Sequence, residues 1–470
     1  MDDRHPREPF ELMLSESIQR FHSDRRSGMS NFAVFSSIFS RVIQTTPDPS
    51  LEVLWFYSAV SFRSENLEVV KRVLLVKELL GFMVSCSRCG NGLKKVAALA
   101  PVVYELHRLV GDVMFWFSEV RDDVSCLIEK VVSYVSMCCY ENEPGLSEMP
   151  EFSPLLMDVV SVWLADKAEG NRDHVRDLRL FFPMVSDEVR ARISSAREID
   201  FLAGSVMCEV FLLSLSLKRC SEAPRQDLQK DLHQQAVQVI AGFRDLNFFD
   251  TLLRMLLEPT LQVTHLVGYA GESLLREVLY DVAMTVQYPF LVPVNSYQLP
   301  GRSTEVALRW LFVAEKAAQF LRASGDGTKA FSYVNAFVES CIPGQLIEWV
   351  ICKTGASRPV LSTPAALIGW CLAIEQRGLK IFNDEVLRAQ VQIVAFNSAF
   401  GLDSETSDIK TAEGNSILDQ EMADSSASAP VLNGQRKRKE DRQDNAYLQA
   451  KFIKVHCHGN HVKEKFLSQW

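Results

Sequence analysis

Turn-formers are scarce in this sequence. Gly contributes 22 and Pro 18 of 470 residues, below ordinary usage, which argues against a turn-rich β architecture. A leader-like apolar start is also lacking. Met1 to Glu8 is polar and mixed in charge, so the sequence predicts no secretory signal. No apolar run is both long enough to span a bilayer and uninterrupted. The nearest, Phe201 to Leu217, carries Glu209 at its centre. A charge at bilayer depth is costly, so this run reads as a buried helix of a soluble protein. Eleven Cys are scattered without repeated spacing. An odd count in a chain without a secretory signal points to reduced thiols used mainly as small core residues. The patterns G-x-S-x-G, H-E-x-x-H and G-x-G-x-x-G do not occur, which removes the common nucleophile-elbow, zinc-protease and dinucleotide signatures.

What is present is helical period. Leu274, Leu275, Val278, Leu279, Val282, Ala283 and Val286 form one apolar stripe at 3.6-residue spacing, with Arg276, Glu277 and Asp281 off it. Leu67, Val70, Val73, Leu74, Leu79 and Leu80 predict a second helix, and Leu228, Leu232, Ala236, Val239 and Ile240 a third. Local signals agree with the stripes. Thr363-Pro364 reads as an N-cap with Pro at the first helical position, closed by Arg377-Gly378. Asp48-Pro49, Ser186-Asp187-Glu188 and Asn383-Asp384-Glu385 read as further starts. Pro259 ends the helix that carries Phe248, Phe249, Leu252, Leu253, Leu256 and Leu257. The stretch from Pro289 to Pro300 is the one extended-looking piece, and its prolines make it a packed loop sooner than a strand.

The expected fold is therefore all-α. Segments such as Leu51–Phe62 are apolar all round and must be covered on all sides. Stacked helical hairpins in an armadillo- or HEAT-like solenoid would do this, as would an irregular helical array with a central bundle. The similarity to armadillo and HEAT proteins is one of architecture; the segments do not align into a residue-level repeat. The helical array is expected over residues 1–400. A Ser- and acid-rich linker without aromatics should follow over 401–446, unable to bury enough apolar area to order itself. A basic, partly apolar tail should occupy 447–470.

Charge is unevenly placed. From Arg436 onward there are nine Lys or Arg against four Asp or Glu, net +5, while residues 1–435 hold 41 basic and 55 acidic groups, net −14. An acidic body disfavours broad binding to phosphate backbones. Within the basic end, Arg436, Lys437, Arg438 and Lys439 are four consecutive cations beside Gly434, the pattern read in extended form by an acidic nuclear import receptor. These four are the site residues the sequence nominates, with nuclear localisation the consequence, some cytoplasmic presence included. Weaker patterns read more plainly. His456-Cys457-His458 with His461 lacks a second ligand cluster and reads as tail. Cys86-Ser87-Arg88-Cys89, with Cys138-Cys139 as a remote complement, reads as a helix stop. Gly268 to Ser273 reads as a turn opening a helix, without the strand and Lys a phosphate loop requires. No metal, cofactor or catalytic residue is expected. Tyr447, Leu448, Phe452, Ile453 and Val455 could dock on the body or on a partner.

The functional expectation is a nuclear, non-enzymatic scaffold that binds other proteins through the surfaces of its helical array. Two rivals carry different tests: a nucleic-acid-associated factor contacting DNA or RNA through the basic tail, and an all-helical enzyme whose site is assembled from distant residues.

Overall fold

The computed structural model describes residues 9–29, 32–46, 48–62, 68–86, 91–115, 120–140, 182–190, 199–219, 224–291, 301–359, 363–382 and 387–395. Among these residues the structure is helical and contains no strand. The long helices are α1 (Pro9–Arg26), α2 (Ala33–Thr45), α3 (Leu51–Ser61), α4 (Val69–Ser85), α5 (Gly92–Ala98), α6 (Ala100–Phe115), α7 (Arg121–Tyr140), α8 (Ile199–Arg219), α9 (Arg225–Phe243), α10 (Leu246–Leu257), α11 (Thr264–Thr285), α12 (Gly301–Ala323), α13 (Gly327–Glu339), α14 (Ile342–Thr354) and α15 (Pro364–Gln376). Residues 187–190 and 387–395 are also helical, and Pro289–Leu291 forms a single 3-10 turn.

Several boundaries follow the local chemistry of the chain. Thr363 caps α15, its Oγ1 accepting from Ala366 N at 3.2 Å, and Pro364 is the first helical residue. Gly378 follows with φ 87°, the left-handed region that Cβ-bearing residues avoid. At α3 the cap is Ser50, two residues beyond Asp48; its Oγ accepts from Val53 N at 3.4 Å. The Ser186 hydroxyl accepts from Val189 N, starting the short helix at Asp187. The Asn383 start lies outside the described residues. α9 and α10 are separated by Arg244 at φ 49°, a left-handed position taken by neither Gly nor Asn. The expected stripe on α4 is only partly inward. Val73, Leu79 and Leu80 are buried, whereas Val70 and Leu74 are 58% and 59% exposed. They lie on the opposite face, which the four-residue spacing alone did not distinguish.

Four helices are buried on all or nearly all sides, α10 from Asn247 to Leu257 among them, and they organise the rest. All residues of α3 from Leu51 to Ser61 are buried. So is α8 from Ile199 to Leu217, and so is most of α12 between Val306 and Ala318. α3 packs against α2, α4, α5 and α6; α8 against α5, α6, α7, α9, α10 and α11; α12 against α10, α11, α13, α14 and α15. α8 is long and apolar enough to cross a membrane by length and composition, yet its whole apolar surface is taken up by other helices. Fully burying each of its Leu, Val and Phe side chains contributes about 1.5–3 kcal/mol. Close approach of α8 to α10 requires Gly204: a Cβ there would sit 3.0 Å from the Asn247 carbonyl carbon.

Candidate interaction groove

α7 and α9 meet at their C-terminal ends. A Cβ on Gly242 would lie 2.9 Å from Ser136 Oγ, and the Arg244 guanidinium stands 5.9 Å from the centre of the Tyr140 ring. Toward their N-terminal ends the two helices leave a cavity of about 670 Å³, floored by the last turns of α8. α7 contributes Arg121, Asp122, Ser125, Glu129, Ser133 and Ser136 to it. α9 contributes Asp231, Gln234, Gln235 and Gln238, and α8 contributes Ser214, Leu217 and Lys218.

The walls carry hydroxyl and carboxylate acceptors beside the amide N–H groups of Gln234, Gln235 and Gln238. The Ser133 hydroxyl donates to Glu129 O and that of Ser136 to Val132 O, both at 2.9 Å, and Ser214 donates to Phe211 O at 2.7 Å. Their hydrogens are thus spent on their own helices, leaving oxygen lone pairs toward the opening. Gln235 Oε1 is buried and accepts no hydrogen bond among the described residues. The α8 C-terminus adds the negative end of a helix dipole; Arg121 answers part of it by donating to Leu217 O at 3.4 Å. Asp122, Glu129 and Asp231 outnumber Arg121 and Lys218. A ligand rich in N–H groups and positive charge complements such a surface. A second cavity, of about 730 Å³, lies beside α15 and is lined by Leu372, Glu375, Leu379, Lys380, Arg388 and Gln392 among others.

A buried polar layer lies elsewhere, and it holds two groups with displaced acidity, Glu209 and Lys316. Asp250 on α10 joins two guanidinium groups: Arg254 Nε donates to Oδ2 at 3.0 Å and Arg309 Nη1 from α12 to Oδ1 at 2.5 Å. Arg254 also pairs with Glu188, which accepts from Gln390 Nε2 at 3.1 Å. Glu209, in the middle of α8, accepts from Met184 N at 2.7 Å and Val185 N at 2.9 Å. Burial pushes its carboxyl up to about 8, against the opposing pull of those two N–H groups and Arg190. Lys316 on α12 donates to Leu257 O and Glu258 O, at 2.5 and 2.8 Å, capping α10; burial, then Arg276, lowers its ammonium to about 8. These contacts tie helix ends and a connecting segment to the central helices. None of these shifted groups lines either cavity.

A separate pair joins α6 to α11. His107 Nε2 and His265 Nε2 are 2.7 Å apart, and His265 Nδ1 lies 2.6 Å from Gln262 O. Burial, then His265, pushes the His107 ring down to about 4.

Arg436, Lys437, Arg438 and Lys439 lie outside the described residues, as do His456 to His461, residues 401–446 and residues 447–470. Cys86 is described and buried, its Sγ 3.4 Å from Pro49 O; residues 87–90 are not described. Cys138 is buried and Cys139 half-buried, its thiol raised by burial and then by Asp245 and Cys138. None of the eight described cysteines is in a disulfide; four are buried and three exposed, so core filling accounts for only some of them. Gly268, at φ 68° and ψ 173°, is a non-helical break between the first turn of α11 and the long helix that follows, consistent with a Gly turn opening a helix. The groove escaped sequence reading because its α7 residues, 121–136, lie at least 78 positions from its α8 and α9 residues, 214–239. The cluster Gln234-Gln235 with Gln238 was its one local sign. No protein-family model, curated protein or solved structure matches this chain.

Proposed function

We propose that this protein is a non-enzymatic scaffold of the nucleus that binds other proteins, and that the groove between α7 and α9 receives an extended, basic segment of a partner. The observation that carries the reading is the acid edge of the cleft, where Asp122, Glu129 and Asp231 stand against Arg121 and Lys218. A backbone N–H or a Lys or Arg side chain of the partner donates to these carboxylates. One such hydrogen bond contributes about 0.5–1.5 kcal/mol, more when the donor is charged. The cleft stands on α8, a helix held by six others, so its walls are pre-organised. The array is irregular in this reading: a helix packed by six partners is support for a wrapped core over nearest-neighbour stacking. Arg436, Lys437, Arg438 and Lys439 serve as the address read by a nuclear import receptor.

Selection of displayed random peptides on the full chain tests the groove. Enriched sequences should carry Lys or Arg, and the double variant Asp122→Lys, Asp231→Lys should lose them by tenfold or more. Enrichment of acidic or purely apolar peptides, or equal binding by the variant, would remove the proposal. The import reading has its own test. Changing Arg436–Lys439 to Ala should shift the chain from nucleus to cytoplasm, and unchanged nuclear accumulation would count against it.

A further inference from the structure

The His107–His265 pair is not used by the groove, and its geometry has an unusual polarity. The Gln262 carbonyl can only accept, so His265 Nδ1 carries the hydrogen and its Nε2 presents a lone pair. That is the orientation a metal-ligating imidazole takes when a backbone carbonyl fixes its other nitrogen. His107 Nε2, on a neighbouring helix, converges on the same point at 2.7 Å, with ring centres 5.0 Å apart and planes 49° apart. His265 is exposed and His107 half-buried, so the point of convergence is reachable from solvent while one donor is held by packing.

We infer that His107 and His265 form a two-imidazole site for a divalent transition-metal ion of the zinc, nickel or copper class, clamping α6 to α11. Imidazole nitrogen suits these ions. At a bond length of about 2.0–2.1 Å, two nitrogens on one tetrahedral ion stand about 3.3 Å apart. The rings therefore open by roughly half an ångström, within reach of a small tilt of each side chain. No group of three or more His, Cys, Asp or Glu side chains that could hold a metal occurs among the described residues. Water completes the coordination, and the site is weaker than a four-ligand structural centre. Its position is informative: His265 lies three residues before the Gly268 kink in α11, so a bound ion would hold the short N-terminal stretch of that helix against α6.

The test uses the full chain with Zn²⁺ as the probe, in a background where His456, His458 and His461 are changed to Ala and Cys457 to Ser. This removes tail ligands from the readout. Adding Zn²⁺ to a hundredfold excess over its Kd should raise the Tm of this background by about 3 °C, and calorimetry should count one ion per chain attributable to the pair. His265→Gln, at an exposed position that tolerates substitution, should abolish both effects; His107→Asn should do the same. An equal Zn²⁺ response in His265→Gln, or no response in the background chain, would mean that the two rings only share a hydrogen bond, and would overturn the inference.

Discussion

Glu209 offers the sharpest test of how this core is held. Its carboxyl is 1% exposed and sits in a helix buried from end to end, yet it answers two backbone N–H groups of the 182–190 segment. Replacement by Leu leaves both donors buried without acceptors. At about 1–3 kcal/mol per unmet group, Glu209→Leu should cost about 2–6 kcal/mol. Glu209→Gln keeps an acceptor oxygen of the same reach and removes the titration. With burial lifting the folded-state value to about 8 from 4.5, the folded chain binds the proton more tightly than the unfolded chain. The stabilising effect of that proton is complete below pH 4.5 and is lost as pH rises toward 8. The slope is about 1.4 kcal/mol per pH unit, accumulating to about 5 kcal/mol. Glu209→Gln lacks this loss. Its stability relative to the parent chain should therefore improve steadily from pH 5 to pH 8 and level off above. Guanidinium unfolding followed by circular dichroism at each pH measures the difference. A difference that stays constant across that range, or a Gln variant as damaged as the Leu variant, would refute the assignment of a protonated, N–H-capping carboxyl.

Asp250 should be another costly loss in the polar layer: Asp250→Ala leaves the guanidinium groups of Arg254 and Arg309 without their shared carboxylate, at about 3–5 kcal/mol, read as a lowered denaturation midpoint. Gly204→Val should separate α8 from α10, because even a Cβ meets the Asn247 backbone at 3.0 Å; a loss of about 1–3 kcal/mol is expected, visible as a lower Tm. Thr363→Ala should cost about 1 kcal/mol through the lost cap on α15, with a change in thermal midpoint and none in the mass of the species in solution.

Much of the helical architecture was legible because it is local. Caps at Thr363 and Ser186, the stop at Pro259 and the stripe from Leu274 to Ala283 depend on residues within a turn or two of each other. Such signals survive in a linear reading. Arg244 shows their limit, since a left-handed turn at a charged residue leaves no mark in composition. Val70 and Leu74 show another: apolar spacing reports that a face exists, and burial depends on what comes to cover it.

The amino-acid order by itself determined the helical class, the position of many helix ends and the presence of segments, α3 and α8 above all, that had to be enclosed. Each of these rests on interactions reaching no further than about four residues along the chain. Tertiary structure alone decided which helices do the enclosing, that Glu209 meets Met184 and Val185, that Asp250 gathers Arg254 and Arg309, and that His107 faces His265 across 158 positions. Pairings of that kind carry no period and no composition, because they are selected by packing in three dimensions among many charged and polar residues that look alike in sequence.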